Sequence, residues 1–313
     1  MTNRIPIGIS RRTLFSGGVA LLTAIAQPSW AQILNSITQE HIGGITFDGV
    51  NLVRAQDGIW RSEDGGASWH KSAETDLGQV TDLASHPDQP GLIYASHATG
   101  GVLRSGDGGR TWRSAAQGLP QAPVDAITIA AHDPNMIYTA VRGDGLWRSQ
   151  DAAQSWEFVM DRPFVEAGER NVLSLASVND PTGMGGIWIY AGTEIGVIRV
   201  PDCFCRWQGV QSGDAMDALV AGREPTAEVP LPKGEPVQSL ATTAQMPQMI
   251  FAGLPSAIWK TNDAGVTWAH VSDAVQPRIA INPADPNHVV AITKSETLIS
   301  RDGGQKWSAT PTI

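Results

Sequence analysis

The chain has 313 residues, of which 17% are charged, and a formal net charge of −9. A chain of this length can form one large all-β domain, and its 33 Gly and 20 Pro suit many turns. The acidic balance argues against general nucleic-acid binding, while it leaves room for a local basic patch.

The N-terminal segment has the pattern of an export signal. Arg11-Arg12 precede an apolar run over residues 19–26, and a small-x-small sequence ends at Ala31. This order predicts a signal peptide over residues 1–31, cleaved after Ala31, and the paired arginines resemble the twin-arginine export signal of bacteria. An ordinary secretory signal and an uncleaved anchor are the alternatives. We therefore expect a periplasmic or otherwise exported protein with one domain over residues 32–313.

A pattern of Ser/Thr-x-Asp-x-Gly-x-Ser/Thr-Trp recurs along the chain, and we call its copies the box turns. Ser/Thr and Asp side chains accept bonds from nearby backbone N–H groups, Gly permits a positive φ, and Trp buries a large ring. The pattern predicts locked hairpin turns in which Asp is structural. Its residues are Ser62, Asp64, Gly66, Trp69; Ser105, Asp107, Gly109, Trp112; Ser149, Asp151, Trp156; Thr261, Asp263, Gly265, Trp268; Ser300, Asp302, Gly304, Trp307; and, in a worn copy, Asp202 and Trp207.

The spacing of the box turns predicts the architecture. A period of about 40–45 residues is typical of propeller blades with four strands each. We predict a six-bladed β-propeller over residues 33–313, with seven blades as the alternative. The longest interval contains a Pro-, Ala- and Glu-rich stretch, residues 208–236, which we interpret as a surface loop. Residues 33–40 are expected to help close the ring.

The box turns resemble the Asp-box, or bacterial neuraminidase, repeats of β-propellers. That family includes sialidases, xyloglucanase-type glycosidases, sortilin-like receptors and photosystem II stability/assembly factors, so the resemblance implies a fold more than a function. The chain looks most similar to exported relatives of the assembly factors. The resemblance implies a non-catalytic, monomeric disc without a cofactor, which binds a protein or membrane-complex partner in the cell envelope. A carbohydrate ligand is left open, and no nucleic-acid partner is expected.

The resemblance also implies where a ligand would bind. In such propellers the box turns lie on one face, and ligand sites lie on the opposite face around the channel. The most charged loop expected there covers residues 161–170, and its alternative interpretation is a solvated loop. The predicted binding residues are His97, Arg142, Asp144, Asp161, Arg162, Glu166, Glu169 and Arg170.

A glycoside hydrolase is the alternative function. Its chemistry needs two carboxylates about 5–9.5 Å apart at the reacting bond. Asp57, Asp144, Glu194 and Glu296 lie in loops of different blades and could converge at the channel mouth, although no local motif marks a pair.

A sialidase is disfavoured by the tyrosines. Its mechanism needs a tyrosine nucleophile and three arginines that clamp a carboxylate. The chain has three tyrosines, Tyr94, Tyr138 and Tyr190, and all occupy the same repeat position near the end of a second strand. We interpret them as packing residues.

The two cysteines, Cys203 and Cys205, lie in the worn box turn. An oxidising compartment permits a disulfide, although a bridge across one residue closes a small ring. The sequence therefore leaves a local disulfide and two free thiols open. Two thiols are too few for a structural zinc site, and we predict no metal site.

Overall fold

The computed structural model describes residues 42–72, 77–165, 167–182, 186–211, 220–222, 224 and 227–311. The chain divides into two units, Met1–Gln39 and Glu40–Ile313, and the described residues belong to the second. The predicted signal peptide and the predicted ring-closing stretch, residues 33–40, lie outside the described residues. No helix in the described ranges is long and apolar enough to cross a membrane.

Six four-stranded antiparallel sheets follow one another along the described chain, and each contains four consecutive strands. The predicted six-bladed, all-β propeller is thereby confirmed. Blades 1 to 3 contain β1 (Ile42–Asp48), β2 (Asn51–Gln56), β3 (Ile59–Ser62), β4 (His70–Lys71); β5 (Val80–Ser85), β6 (Ile93–His97), β7 (Val102–Ser105), β8 (Arg113–Ser114); β9 (Val124–Ala130), β10 (Asp133–Val141), β11 (Gly145–Ser149) and β12 (Glu157–Asp161).

A short additional hairpin, β13 (Phe164–Val165) and β14 (Gly168–Glu169), separates blades 3 and 4. Blades 4 to 6 contain β15 (Val172–Val178), β16 (Trp188–Thr193), β17 (Val197–Pro201), β18 (Gln208–Gly209); β19 (Ser239–Ala241), β20 (Ile250–Gly253), β21 (Ile258–Thr261), β22 (Ala269–Ser272); β23 (Arg278–Asn282), β24 (Asp285–Ile292), β25 (Glu296–Ser300) and β26 (Ser308–Pro311).

The second strands carry the most buried residues of the blades. In β6, Ile93, Tyr94 and Ala95 are all 0% exposed. These strands read as continuous apolar runs because both faces of a blade are covered by its neighbours. Six apolar clusters lie in the six interfaces between blades, and each joins residues of two adjacent blades. The core is therefore a ring of interfaces around the propeller axis.

The ring closes where the innermost strands of blades 1 and 6, β1 and β23, contact each other. No described blade combines strands from both ends of the chain. Apolar residues of both blades, including Phe47 and Ile292, pack across this seam. Arg278 Nε donates to the carbonyl of Ile42 at 3.4 Å. Packing and hydrogen bonds thus close the ring without a shared sheet.

The stretch predicted as a surface loop, residues 208–236, also makes ordered contacts. It begins with β18, and Val229 forms a parallel bridge to Thr267 in blade 5. Leu231 is buried in the interface between blades 4 and 5. Val229 and Leu231 therefore attach this stretch to blade 5 and its box turn, while residues 220–222 and 227–230 are exposed as expected for a surface loop.

Candidate functional site

Side chains of the box turns bond to the backbone of the same turn. In blade 1, Ser62 Oγ donates to Asp64 Oδ1 and accepts from Gly66 N, both at 2.8 Å. Asp64 accepts from the hydroxyl and the N–H of Ser68. These hydrogen bonds lower the pKa of Asp64 to about 2, and the bond from the Ser68 hydroxyl has the largest effect. The carboxylate is therefore ionised and engaged within its own turn.

A side chain of the preceding blade also donates to five of the box turns. The acceptor is the carbonyl of the residue before the box glycine, or before Ala153, which takes that position in blade 3. In each pair the side chain named first donates to the carbonyl named second: His288 to Gly65 at 3.3 Å, Arg61 to Gly108 at 3.1 Å, Tyr94 to Ala152 at 3.0 Å, Tyr190 to Ala264 at 2.8 Å, and Lys260 to Gly303 at 2.9 Å. This contact links neighbouring blades on the face that carries the box turns.

Blade 4 differs, because its worn box turn contains a Cys203–Cys205 disulfide. Phe204 takes the position of the box glycine with φ at 54°. Its ring lies 5.8 Å from the ring of Tyr138. The Tyr138 hydroxyl is buried without a hydrogen-bond partner among the described residues. A covalent clamp and an aromatic contact thus replace the polar contact found in the other blades.

Several predicted binding residues have partners within the protein. His97 Nε2 contacts the Leu77 carbonyl at 2.6 Å, and its Nδ1 contacts the Thr99 hydroxyl at 2.8 Å. Arg142 forms an ion pair with the buried Asp125 at 2.5 Å, although 54% of the Arg142 side chain is exposed. His97 therefore shapes its loop, while Arg142 still presents a surface to solvent.

The four carboxylates of the alternative enzyme hypothesis lie in blades 1, 3, 4 and 6. Asp144 accepts from the Trp147 indole at 2.6 Å, and Glu194 accepts from the backbone and side chain of Asn171. Asp57 is exposed in the turn between β2 and β3, and Glu296 begins β25. None of the four lines either cavity described below. A catalytic pair among them stays a prediction.

The predicted charged loop, residues 161–170, forms one side of a groove between blades 3 and 4. We call it the rim groove. Its volume is about 500 Å³, and its lining includes Met160, Arg162, Phe164, Arg206, Trp207 and Gln211. Only Arg162 of the predicted binding residues lines it. Glu166 lies outside the described residues.

The rim groove combines a fixed wall with an exposed apolar side chain. The Trp207 indole donates to the Asp161 carbonyl at 2.9 Å, which ties the two blades together. Phe164 is 71% exposed, and Arg206 is exposed without an ion pair in the described ranges. Arg162 pairs with Glu169, and Arg170 donates to the Glu169 carbonyl. Sequence reasoning missed Phe164 and Arg206, although an apolar residue amid a charged loop is a recognisable signal.

A second cavity lies on the propeller axis, and we call it the axial cavity. Its volume is about 400 Å³, and all six innermost strands line it. Its lining continues to first-hairpin turn residues such as His86, Gln245 and Pro283. First and third strands of a blade run in the same direction, so these turns lie at the same end as the box turns. The axial cavity thus extends to the box-turn face.

Hydrogen bonds within or directly beside the innermost strands surround the axial cavity and bridge every pair of neighbouring blades. Each bond joins a polar side chain to the backbone of the adjacent blade. The pairs are Ser85 with the Phe47 carbonyl, Asp82 with Ile127 N, Ser177 with Ala131 N, Ser174 with the Val237 carbonyl, Ser239 with Ile279 N, and Arg278 with the Ile42 carbonyl. These bonds fix the positions of the groups that line the cavity.

Two opposite charges, Asp82 and Arg278, line the axial cavity. Burial raises the pKa of Asp82 to about 6, and the Arg278 charge only partly offsets this. Burial likewise lowers the pKa of Arg278. The two side chains form no ion pair within 4.0 Å of each other. In the described part of the chain, no group of three or more His, Cys, Asp or Glu could hold a metal ion.

No protein-family model matches the chain, and no match was found among curated proteins. Solved structures match it over most of its length. A GH74 enzyme from Niastella koreensis is 14% identical with a TM-score of 0.59, covering 87% of this chain and 45% of that one. The GH74 xyloglucanase from Xanthomonas campestris is 18% identical with a TM-score of 0.58, covering 86% and 45%.

The chain therefore spans less than half the length of these two GH74 chains. A structure of YCF48 bound to a D1 peptide is 14% identical with a TM-score of 0.48, covering 86% of this chain and 81% of that one. At these identities the two GH74 likenesses show the propeller fold and nothing about activity.

Proposed function

We propose that this chain is an exported, non-catalytic β-propeller that binds a protein partner of the cell envelope and assists the assembly of a complex. The observation that supports this proposal is the rim groove. Phe164 is 71% exposed beside Trp207, and Arg206 lies at the same groove without an ion pair in the described ranges. Aromatic, Met and Arg side chains are enriched at protein interfaces.

The chemistry of the rim groove indicates an extended, acidic segment as the partner. Met160 and Trp207 offer apolar walls, whereas Arg162 and Arg206 offer positive charge on a chain whose net charge is −9. The outermost strand of blade 3, β12, has five residues and pairs only with β11. An open strand edge next to apolar and cationic pockets can add an extended peptide strand.

The test is capture of partners from the envelope of the exporting host with residues 32–313, identified by mass spectrometry. Phe164→Ala and Arg206→Glu should each reduce the retained partner at least about tenfold. Val50→Ala is the matched control for Phe164, since Val50 is also 71% exposed but lies in blade 1. Lys306→Glu is the matched control for Arg206, because both residues directly precede a box-turn tryptophan.

Two results would contradict the proposal. If the rim-groove variants retain as much partner as their controls, the partner binds at another surface. Hydrolysis of a polysaccharide by the wild-type protein, lost on substitution of Asp57, Asp144, Glu194 or Glu296, would establish the glycosidase instead.

A further inference from the structure

We infer that the axial cavity binds a free amino acid, whose carboxylate pairs with Arg278 and whose ammonium group pairs with Asp82. This site lies in the innermost strands and is separate from the rim groove, so it does not depend on the proposed function. Its volume of about 400 Å³ falls in the range of small-molecule pockets.

The two charges are held apart by the backbone. Asp82 Oδ1 accepts from Leu83 N at 2.9 Å, and its Oδ2 accepts from Ile127 N at 3.2 Å. Arg278 donates through Nη1 to the Gln238 carbonyl and through Nε to the Ile42 carbonyl. Each group is therefore anchored in its own orientation and does not collapse onto the other. Such preorganised groups bind a complementary ligand without first having to be ordered.

One guanidinium nitrogen remains available to a ligand. Arg278 Nη2 has no acceptor in the described ranges, whereas Arg278 itself lines the cavity. A carboxylate is the acceptor that fits a guanidinium best. Asp82, for its part, is a partly buried carboxylate with no cation within 4.0 Å among the residues that the structure describes, and a ligand ammonium group would supply one. In an α-amino acid a single carbon atom separates the carboxylate from the ammonium group, so one ligand can pair with both Arg278 and Asp82.

Blade 1 leaves room for this arrangement. A Cβ added to Gly44 would lie 2.7 Å from Asp82 Oδ1 and 2.3 Å from Leu83 N. Glycine at this position therefore permits the Asp82 carboxylate to lie against β1.

The wall of the cavity indicates a polar ligand side chain. Polar residues line the cavity in three blades, namely Thr46, Thr128 and Gln245, and all three are at least partly exposed. Hydroxyl and amide groups of this kind can exchange hydrogen bonds with the amide of a ligand. Glutamine is therefore the probe of choice.

The test is titration calorimetry of residues 32–313 with L-glutamine, at pH 7.5 or above, where the Asp82 carboxyl is ionised. We expect one saturable site with a Kd of about 1 mM or tighter. The probe without its ammonium group, glutaramate, and the probe without its carboxylate, 4-aminobutanamide, should each bind at least about tenfold more weakly. This ligand series requires no change to the protein.

Variants provide the second arm of the test. Asp82→Asn and Arg278→Lys should each weaken glutamine binding at least about tenfold, with folding checked by circular dichroism. Asp273→Asn is the control, since its side chain is 96% exposed and outside the cavity lining. Phe164→Ala should also leave glutamine binding unchanged, which separates this site from the rim groove.

Absence of binding up to about 10 mM would overturn the inference. Equal affinity for glutamine and both truncated analogues would overturn it as well, since the paired charges would then play no part.

Discussion

Asp82 occupies a position that disfavours the ionised form of its carboxyl group. It lines the axial cavity and is partly buried there, and this burial raises its pKa to about 6 from 3.8. An acid with a raised native pKa binds its proton more tightly in the folded state than in the unfolded state. Its contribution to stability is therefore full below pH 4 and is lost as the pH rises through 6.

When the pH is lowered from 7 to 4, the free energy of unfolding of the wild-type protein should therefore increase relative to that of Asp82→Asn, by at most about 3 kcal/mol. Urea unfolding of both proteins across this range measures the difference. The other charged or titratable residues of the cavity lining, His86, Asp88 and Arg278, are present in both proteins, so the comparison isolates the Asp82 carboxyl. A difference that does not change with pH would contradict the raised pKa.

Gly304 shows how closely a box turn packs on the preceding blade. A Cβ at this position would lie 2.6 Å from Phe251 Cε1, and φ is 86°. Phe251 is fully buried and cannot easily yield.

Gly304→Ala should therefore lower the free energy of unfolding by roughly 2–4 kcal/mol through overpacking and backbone strain. Gly143→Ala is the matched control, since Gly143 has φ at 76° and no atom within 4 Å of an added Cβ. Strain alone should make Gly143→Ala cost roughly 1 kcal/mol. Equal losses in urea unfolding would mean that the Phe251 ring moves aside.

Among the structural elements, the worn box turn of blade 4 relies on covalent chemistry. The other described box turns hold a residue of positive φ by Ser or Thr and Asp hydrogen bonds, whereas this turn holds Phe204 inside a disulfide ring. The clamp also keeps the Phe204 ring against Tyr138, which has lost its polar contact.

Changing both Cys203 and Cys205 to Ser should lower the free energy of unfolding by about 1–2 kcal/mol, as expected for a short disulfide loop. A thiol reductant should lower the Tm of the wild type towards that of the double variant and leave the variant unchanged. If the reductant does not alter the wild-type Tm, the disulfide does not stabilise this turn.

A feature could be predicted from the sequence when the residues that form it are close together in the chain. Box turns such as residues 62–69 contain both partners of their hydrogen bonds within a few residues, so pattern and spacing predict the blades. The Asp82–Arg278 site joins blades 2 and 6, which approach only when the ring closes. Phe164 and Arg206 likewise line one groove from the β13–β14 hairpin and from blade 4. No spacing rule connects such residues, and both sites therefore needed the structure.

On the scale of the whole molecule, the ring is divided into blades that each use one continuous stretch of chain. A connection from an outermost to an innermost strand can be short, since residues 273–277 suffice between β22 and β23. A linker of about eight residues from the end of β26 to β1 should therefore be long enough.

A circular permutant with this linker and new termini within residues 273–277 should fold with a Tm within about 3 °C of the parent, because no blade is divided. A permutant opened after Asp151 instead breaks a box turn and should melt at a lower temperature. Thermal unfolding followed by circular dichroism compares the two. Equal melting temperatures would mean that the blade 3 box turn contributes little to stability.

The export proposal also concerns the whole chain. Changing Arg11 and Arg12 to Lys should leave the full-length protein in the cytoplasm, because the twin-arginine signal is read by a receptor. Arg4→Lys is the control and should be exported. Fractionation with N-terminal sequencing measures both, and the exported form should begin at residue 32. Normal export of the double variant would favour an ordinary secretory signal.

The seam between blades 1 and 6 is not the part of the propeller that a mechanical load would open first. A force pulling residues 42 and 311 apart acts on β1 and on β26, and these strands are held very differently. β1 is almost wholly buried and touches two neighbouring innermost strands, whereas β26 is largely exposed and pairs only with β25. Under tension β26 would peel away one bond at a time, while the ring stays shut. The weak point of the propeller is thus its C-terminal outer edge, and the seam itself is shielded.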